Sequence, residues 1–266
     1  MKSLIRFIKK IYTYRSVIVV MAIQEIQKMY LGTLVGFLWS IINPLMVILV
    51  YWFVFSFGLK VQPWGGVPFI VVFYCGLVPW LMFSNTLIAN TNTIVNNGHL
   101  VKKMVFPTEI LPVVNLTANL ITHGLMLIIL AIVLFFYNIS FSLYNIQFLY
   151  YLFCLSIFTL GLSWLVSAIN VFYRDTGQIL NIAINMWFWL TPIVWGIEVL
   201  PENYRFFVML NPMFYIVQGY KNSFIYHIPF WYDYSRGLFF WIVSLSLFVS
   251  GGAIFRKLKS EFADVL

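Results

Sequence analysis

Charge is scarce in this sequence. Asp, Glu, Lys and Arg make up 9% of its 266 residues, against about 25% in an ordinary soluble domain. Hydrophobic residues reach 62%, and the mean hydropathy is +0.91. At this length a water-soluble fold has too little interior to hide so much apolar surface. A soluble globular enzyme, a disordered chain and a secreted disulfide scaffold are therefore excluded, and the chain is expected in a bilayer. Cysteine is nearly missing too. Cys75 and Cys154 both sit in apolar stretches, where packed thiols are a better expectation than a disulfide. No cleavable signal peptide is expected, because the apolar stretch 17–23 is short and is followed by Gln24, Glu25 and Lys28 rather than by a small-residue cleavage site.

Catalytic groupings are also missing. No cluster of His, Cys, Asp and Glu has metal-ligand spacing, so no metal is expected. There is no evident carboxylate pair, no Gly-x-Ser-x-Gly elbow and no Gly-x-x-x-x-Gly-Lys-Ser/Thr phosphate loop. The chain is thus expected not to be an enzyme and to bind no cofactor of its own. The net charge of +8 comes from 16 Lys and Arg residues spread thinly between apolar runs. That spread argues for membrane topology rather than a nucleic-acid partner.

Long charge-free runs are what the sequence has instead. About 20 apolar residues cross the hydrocarbon core, and the runs resolve into six spans at roughly 34–57, 68–92, 112–136, 148–171, 178–197 and 237–255. The long run 110–173 is divided at the polar, turn-forming patch Tyr137-Asn138-Ile139-Ser140 and Tyr144-Asn145. Between Ile41 and Phe57 there are eleven Leu, Ile, Val or Phe residues, contributing roughly −3 to −7 kcal/mol of insertion free energy. That outweighs Asn43 and tolerates Pro44. Twelve basic residues then fall on one side, among them Lys102, Lys103, Arg174, Arg256, Lys257 and Lys259, against Lys60, Arg205, Lys221 and Arg236 on the other. The positive-inside bias puts both termini in the cytoplasm. Trp64, Trp80, Trp195, Trp231 and Tyr232 then form an expected outer aromatic belt.

The fold class expected is an all-α integral membrane protein forming one transmembrane domain over 1–266. Residues 198–235 carry Pro201, Asn211-Pro212 and Pro229 around a short apolar core. They read as a re-entrant or interfacial helix pair on the outer face, at about 199–226. Before span one, Leu4, Ile5, Ile8, Ile11 and Tyr12 recur at helical spacing opposite Lys2, Arg6, Lys9 and Lys10. This is an amphipathic segment expected in the interface plane, or else a basic leader that orients span one. All eight acids lie outside the spans, so a proton relay is not expected. His123, alone at membrane depth, is expected to make an interhelical hydrogen bond. Gly32 and Gly36 mark either a close helix approach or a turn before span one.

Local patterns follow in order along nearly the whole chain. They are Gln24-Glu25-Ile26-Gln27-Lys28-Met29-Tyr30, Gly36-Phe37-Leu38-Trp39-Ser40, Asn43-Pro44-Leu45 and Gly76-Leu77-Val78-Pro79-Trp80 with Phe83 and Asn90. Leu100-Val101-Lys102-Lys103-Met104-Val105-Phe106-Pro107, Phe172-Tyr173-Arg174-Asp175, Thr191-Pro192-Ile193 and Asn211-Pro212 come after them. Each is weak alone, and the set in register is specific. It resembles the membrane subunit of ABC-2 type polysaccharide exporters, most closely the O-antigen type, with teichoic-acid and capsule permeases as relatives.

The resemblance implies a homodimer in the bacterial inner membrane, carrying two cytoplasmic nucleotide-binding subunits that bind ATP and Mg2+. The substrate would be an undecaprenyl-linked glycan. It further implies an interface helix at roughly 3–30 and a coupling helix at roughly 92–108, which assigns ATPase coupling to Asn97, His99, Lys102 and Lys103. Arg174 and Asp175 either transmit motion or form a local ion pair that orients their loop. The pyrophosphate anchor would meet Arg6, Lys9, Lys10 or Arg15. A glycan conduit wants aromatic platforms and neutral hydrogen-bonding groups. Asn181, Asn185 and Trp189 share one face of span five, and Trp39, Asn43 and Phe53 share one of span one. The resemblance implies that both spans border the translocation path. Competing readings are an ABC-2 permease for a small lipid or drug and a membrane-embedded glycosyltransferase.

Overall fold

Charge-free sequence becomes helix almost throughout. The computed structural model describes residues 2–60, 66–102 and 106–266, and among them no strand occurs. The chain opens with α1 (Lys2–Thr13) and α2 (Arg15–Tyr30), so the segment expected as one helix over 3–30 is two, meeting at Tyr14. Next come α3 (Trp39–Trp52), prolonged by a π-helical turn at Phe53–Gly58, and α4 (Phe69–Thr91). Two single turns, α5 (Thr93–Asn96) and α6 (Gly98–Val101), follow α4. The long α7 (Leu111–Phe136) and α8 (Phe148–Phe172) precede α9 (Thr176–Leu190), α10 (Glu202–Met209) and α11 (Pro212–Lys221). The chain closes with α12 (Tyr234–Leu258) and a short α13 (Phe262–Val265).

Among the described residues, five helical stretches are long and apolar enough to cross a membrane: Trp39–Gly58, Phe69–Thr91, Thr108–Phe136, Leu143–Phe172 and Tyr234–Val265. The fifth expected span, 178–197, is cut short because α9 ends at Leu190. Its 15 residues reach roughly 22 Å, less than the ~30 Å hydrocarbon core. The cause is local. A residue before proline is driven out of the helical region, and Thr191 is extended at φ −99°, ψ 129°. Pro192 also offers no N–H to continue the ladder.

The helix α4 forms the centre. Its apolar window is 89% buried, against 6% for Trp39–Gly58, and it packs on α7, α8, α9 and α11. Trp80, expected in an aromatic belt, is a core residue of α4 beside Phe83 and Phe188. Trp64 lies outside the described residues. The chain's two cysteines are buried free thiols. The stripe Ile18, Ala22 and Ile26 buries one face of α2, which packs on α7. Between α2 and α3, Gly32 and Gly36 have φ of +77° and +57°, and a Cβ on either would meet nothing within 4 Å. They make a turn, not a close helix approach.

The tightest crossing joins α8 to α12. A Cβ on Gly251 would lie 2.2 Å from the Gly161 carbonyl oxygen, and one on Gly161 would lie 2.7 Å from the Phe248 nitrogen. Small residues here let two backbones touch, which is how helices gain packing energy where lipid removes the hydrophobic drive.

Candidate functional site

Two polar-aromatic faces point away from the protein core. On α9 only Ile184 is buried, and Asn181, Asn185 and Trp189 are exposed. Asn185 Nδ2 donates to the Asn181 carbonyl at 2.9 Å, which stiffens the face along one helical turn. On α3, Asn43 is exposed, Trp39 is half-buried, and Phe53 opens the π turn with its ring exposed. Tyr51 and Phe188 meet edge-on at 6.2 Å, and α3 and α9 each pack on α4.

The irregular backbone after α9 is held by side chains. Thr191 Oγ1 donates to the Trp187 carbonyl at 2.8 Å and accepts from Asn211 Nδ2 at 2.8 Å. Trp187 Nε1 in turn donates to Asn211 Oδ1 at 2.8 Å. Lys221 Nζ, buried on α11, donates to the Pro192 carbonyl at 2.8 Å. Non-helical backbone at membrane depth is tolerable only when protein or a wet cavity satisfies it in this way. His123 bonds Tyr220 of α11 across 3.0 Å, the interhelical hydrogen bond expected of it.

The residues expected to couple to an ATPase gather at the opposite end of the bundle. Asn97 is buried and donates to the Thr93 carbonyl at 2.9 Å. His99 and Lys102 are exposed, while Lys103 lies outside the described residues. Asn170 at the end of α8 donates to Asn92 Oδ1 at 3.1 Å, and α13 packs on α6 and α8. Arg174 and Asp175 are both exposed in the turn between α8 and α9, and no ion pair joins these two among the described residues. One turn deeper, Asn90 Nδ2 donates to Ser163 Oγ at 2.9 Å and to the Pro112 carbonyl at 3.2 Å. Asn115 Nδ2 donates to Asn90 Oδ1 at 2.9 Å. This buried network ties α4, α7 and α8 together just above the exposed turns.

Glu109 is the cluster that sequence spacing did not reveal. Both Lys10 of α1 and Lys259, which follows α12, donate to its carboxylate, the latter at 2.5 Å. Trp164 Nε1 donates to its backbone carbonyl at 3.2 Å, and the Trp164 ring meets Phe7 edge-on at 4.9 Å. The start of α7 thereby clasps both ends of the chain. Lys10, expected near a lipid anchor, is engaged in this clasp. Arg15 lies 4.2 Å over the Tyr12 ring, Lys9 is exposed, and the Arg6 side chain lies outside what the structure describes. A second missed feature is a cavity of about 670 Å³ at the far end, where Glu198, Gln218 and Lys221 converge. Its signals in the sequence were the proline-broken stretch 198–235 and the lone lysine ending the apolar run 206–220.

The chain matches the family described as ABC-2 type transporter over residues 16–225. It is 29% identical over 255 residues to the O-antigen export system permease protein RfbA of Klebsiella pneumoniae, covering 94% of both chains. It is 28% identical over 264 residues to the protein of the same name in Myxococcus xanthus, covering 98% of this chain and 99% of that one. A family match over most of the sequence, joined to five apolar stretches able to cross a membrane, makes this chain a member of the ABC-2 type transporter family.

Proposed function

We propose that this chain is the permease subunit of an ATP-driven exporter that carries an undecaprenyl-linked polysaccharide, an O-antigen chain, across the bacterial inner membrane. The observation that carries this reading is the end-to-end similarity to O-antigen export permeases, with no large segment unmatched on either side. The outward faces of α3 and α9, two helices that both pack on α4, support it. A face of Asn181, Asn185 and Trp189 left uncovered by the rest of the chain offers rings and neutral amides, the chemistry a sugar chain slides along.

In this reading α9 with the buried stretch 191–194 completes a sixth crossing, and α10 and α11 form a gate on the outer face. The helices α1 and α2 lie at the cytoplasmic interface, with both termini on that side. Two copies pair so that α3 and α9 of each border one conduit. Two separate ATPase subunits bind ATP and Mg2+ and seat against the turns at 92–102 and 173–176. Energy then enters through Asn97, His99, Lys102, Lys103, Arg174 and Asp175 and reaches the spans through the Asn90 network. In the same reading Arg6, Lys9 and Arg15 attract the pyrophosphate of the lipid carrier.

Capture tests this reading. The purified chain in lipid nanodiscs is mixed with a nucleotide-binding ATPase subunit from the same organism, and hydrolysis is measured. Binding of the ATPase with a two-to-two mass, and hydrolysis that depends on both proteins, is expected. A chain that transfers sugar without ATP and binds no ATPase would overturn it.

A further inference from the structure

The cavity at the far end of the bundle is half open, and hydrogen bonds hold part of its lining in place. Its walls include the loop after α9, with Trp195, Glu198 and Val199, and α11 with Gln218 and Lys221, while Tyr226 closes one side. Two anchors fix that loop. Trp195 Nε1 donates to the Trp189 carbonyl at 2.9 Å, and Lys221 Nζ donates to the Pro192 carbonyl at 2.8 Å. Pre-set walls of this kind lower the ordering cost of binding. At about 670 Å³ the space falls within the ordinary range for small-ligand sites.

The lining selects the chemistry. A phosphate would favour cations in excess, but here a carboxylate faces the same space as the one ammonium. An acyl chain would favour an unbroken apolar wall. Glu198 accepts hydrogen bonds, Lys221 donates them, and Gln218 and Tyr226 do both. Ring surface from Trp195 and Tyr226 lies among these groups. Alternating donors and acceptors beside aromatic faces match a pyranose, whose hydroxyls surround flat C–H surfaces. The hydrogen bond from Trp195 to the Trp189 backbone carbonyl also ties one wall of the cavity to the last turn of α9, the helix that carries the polar-aromatic face.

We propose that this cavity is a saccharide-binding site that holds sugar units of the exported glycan as they leave the α9 face. The inference rests on the polysaccharide reading above. Glycan held here after each stroke would be kept from sliding back, so the site acts as a catch without consuming energy.

Photocrosslinking tests it in the host, with the complete chain and its ATPase. Benzoylphenylalanine replaces Val199, which lines the cavity and is 76% exposed. In a parallel strain it replaces Leu143, which is 85% exposed and next to Tyr144, whose ring pairs with His227, but lies outside the cavity. After illumination the chain is purified, oxidised with periodate and labelled with a hydrazide. Carbohydrate label at position 199 is expected to exceed that at 143 about tenfold, and to fall to the same level when Trp195→Ala and Gln218→Leu remove a stacking ring and an amide together. Equal label at the two positions, or an adduct of phospholipid without carbohydrate, overturns the proposal. Export is scored in the same cells before illumination. Normal export with no excess label at 199 contradicts this site alone, whereas failure of the unmodified chain to support export contradicts the substrate reading and this site with it.

Discussion

Trp189 turns its ring away from the protein core and remains 56% exposed. Truncating such a side chain costs the fold little, within about 0.5 kcal/mol. Trp189→Ala is therefore expected to leave yield and ATPase binding intact while lowering glycan export about two- to tenfold, the worth of one stacking platform. Surface glycan measured in complemented cells checks this, and unchanged export would remove Trp189 from the path. Glu109 behaves in the opposite way. Glu109→Gln withdraws the charge between two half-exposed ammonium groups, so it is expected to cost about 1–2 kcal/mol, between an exposed and a buried pair. Thermal unfolding of the purified chain should show a melting temperature lower by a few degrees. The two residues differ in how readable they were. Asn181, Asn185 and Trp189 recur at helical spacing, so their shared face follows from the sequence. The partners of Glu109 lie 99 and 150 residues away, and no local pattern pairs them.

At the scale of helices, α8 and α12 meet through Gly161 and Gly251 with no room for a side chain. Gly251→Leu forces the backbones apart and is expected to abolish the folded, monodisperse peak in size-exclusion chromatography, at a cost of about 3 kcal/mol or more. Gly252→Ala is the matched control, because its Cβ would sit in ordinary contact 3.6 Å from Trp164, and it should elute as the parent chain does. The ends of α4, α7, α8 and α12 were legible within a few residues, since each is built around a charge-free run bounded by charged or polar residues or by proline. The end of α9 was not. Hydropathy continues through Ile193 and Val194, but Thr191-Pro192 breaks the ladder, and Lys221, 29 residues on, donates to the Pro192 carbonyl in its place. The π turn at Phe53–Gly58 and the break at Tyr14 were likewise invisible, because each depends on how neighbouring helices seat rather than on residue type.

Over the whole molecule, burial is lopsided. The central helix α4 is enclosed, while α3 and α9 show most of their surface. The exposed turns and the Glu109 clasp occupy one end, and the cavity beside Lys221 occupies the other. In the proposed function such a chain supplies a wall and a lever, with energy arriving through the end that bears the turns. Export itself tests that claim most directly. In a host strain whose own copy of this chain is deleted, surface polysaccharide is quantified after restoring the chain, with either the intact partner ATPase or one whose phosphate-loop lysine is replaced. The account predicts surface glycan only when both the chain and an active ATPase are present, with glycan accumulating inside otherwise. Surface glycan that persists without this chain, or that appears beside the inactive ATPase, would contradict it.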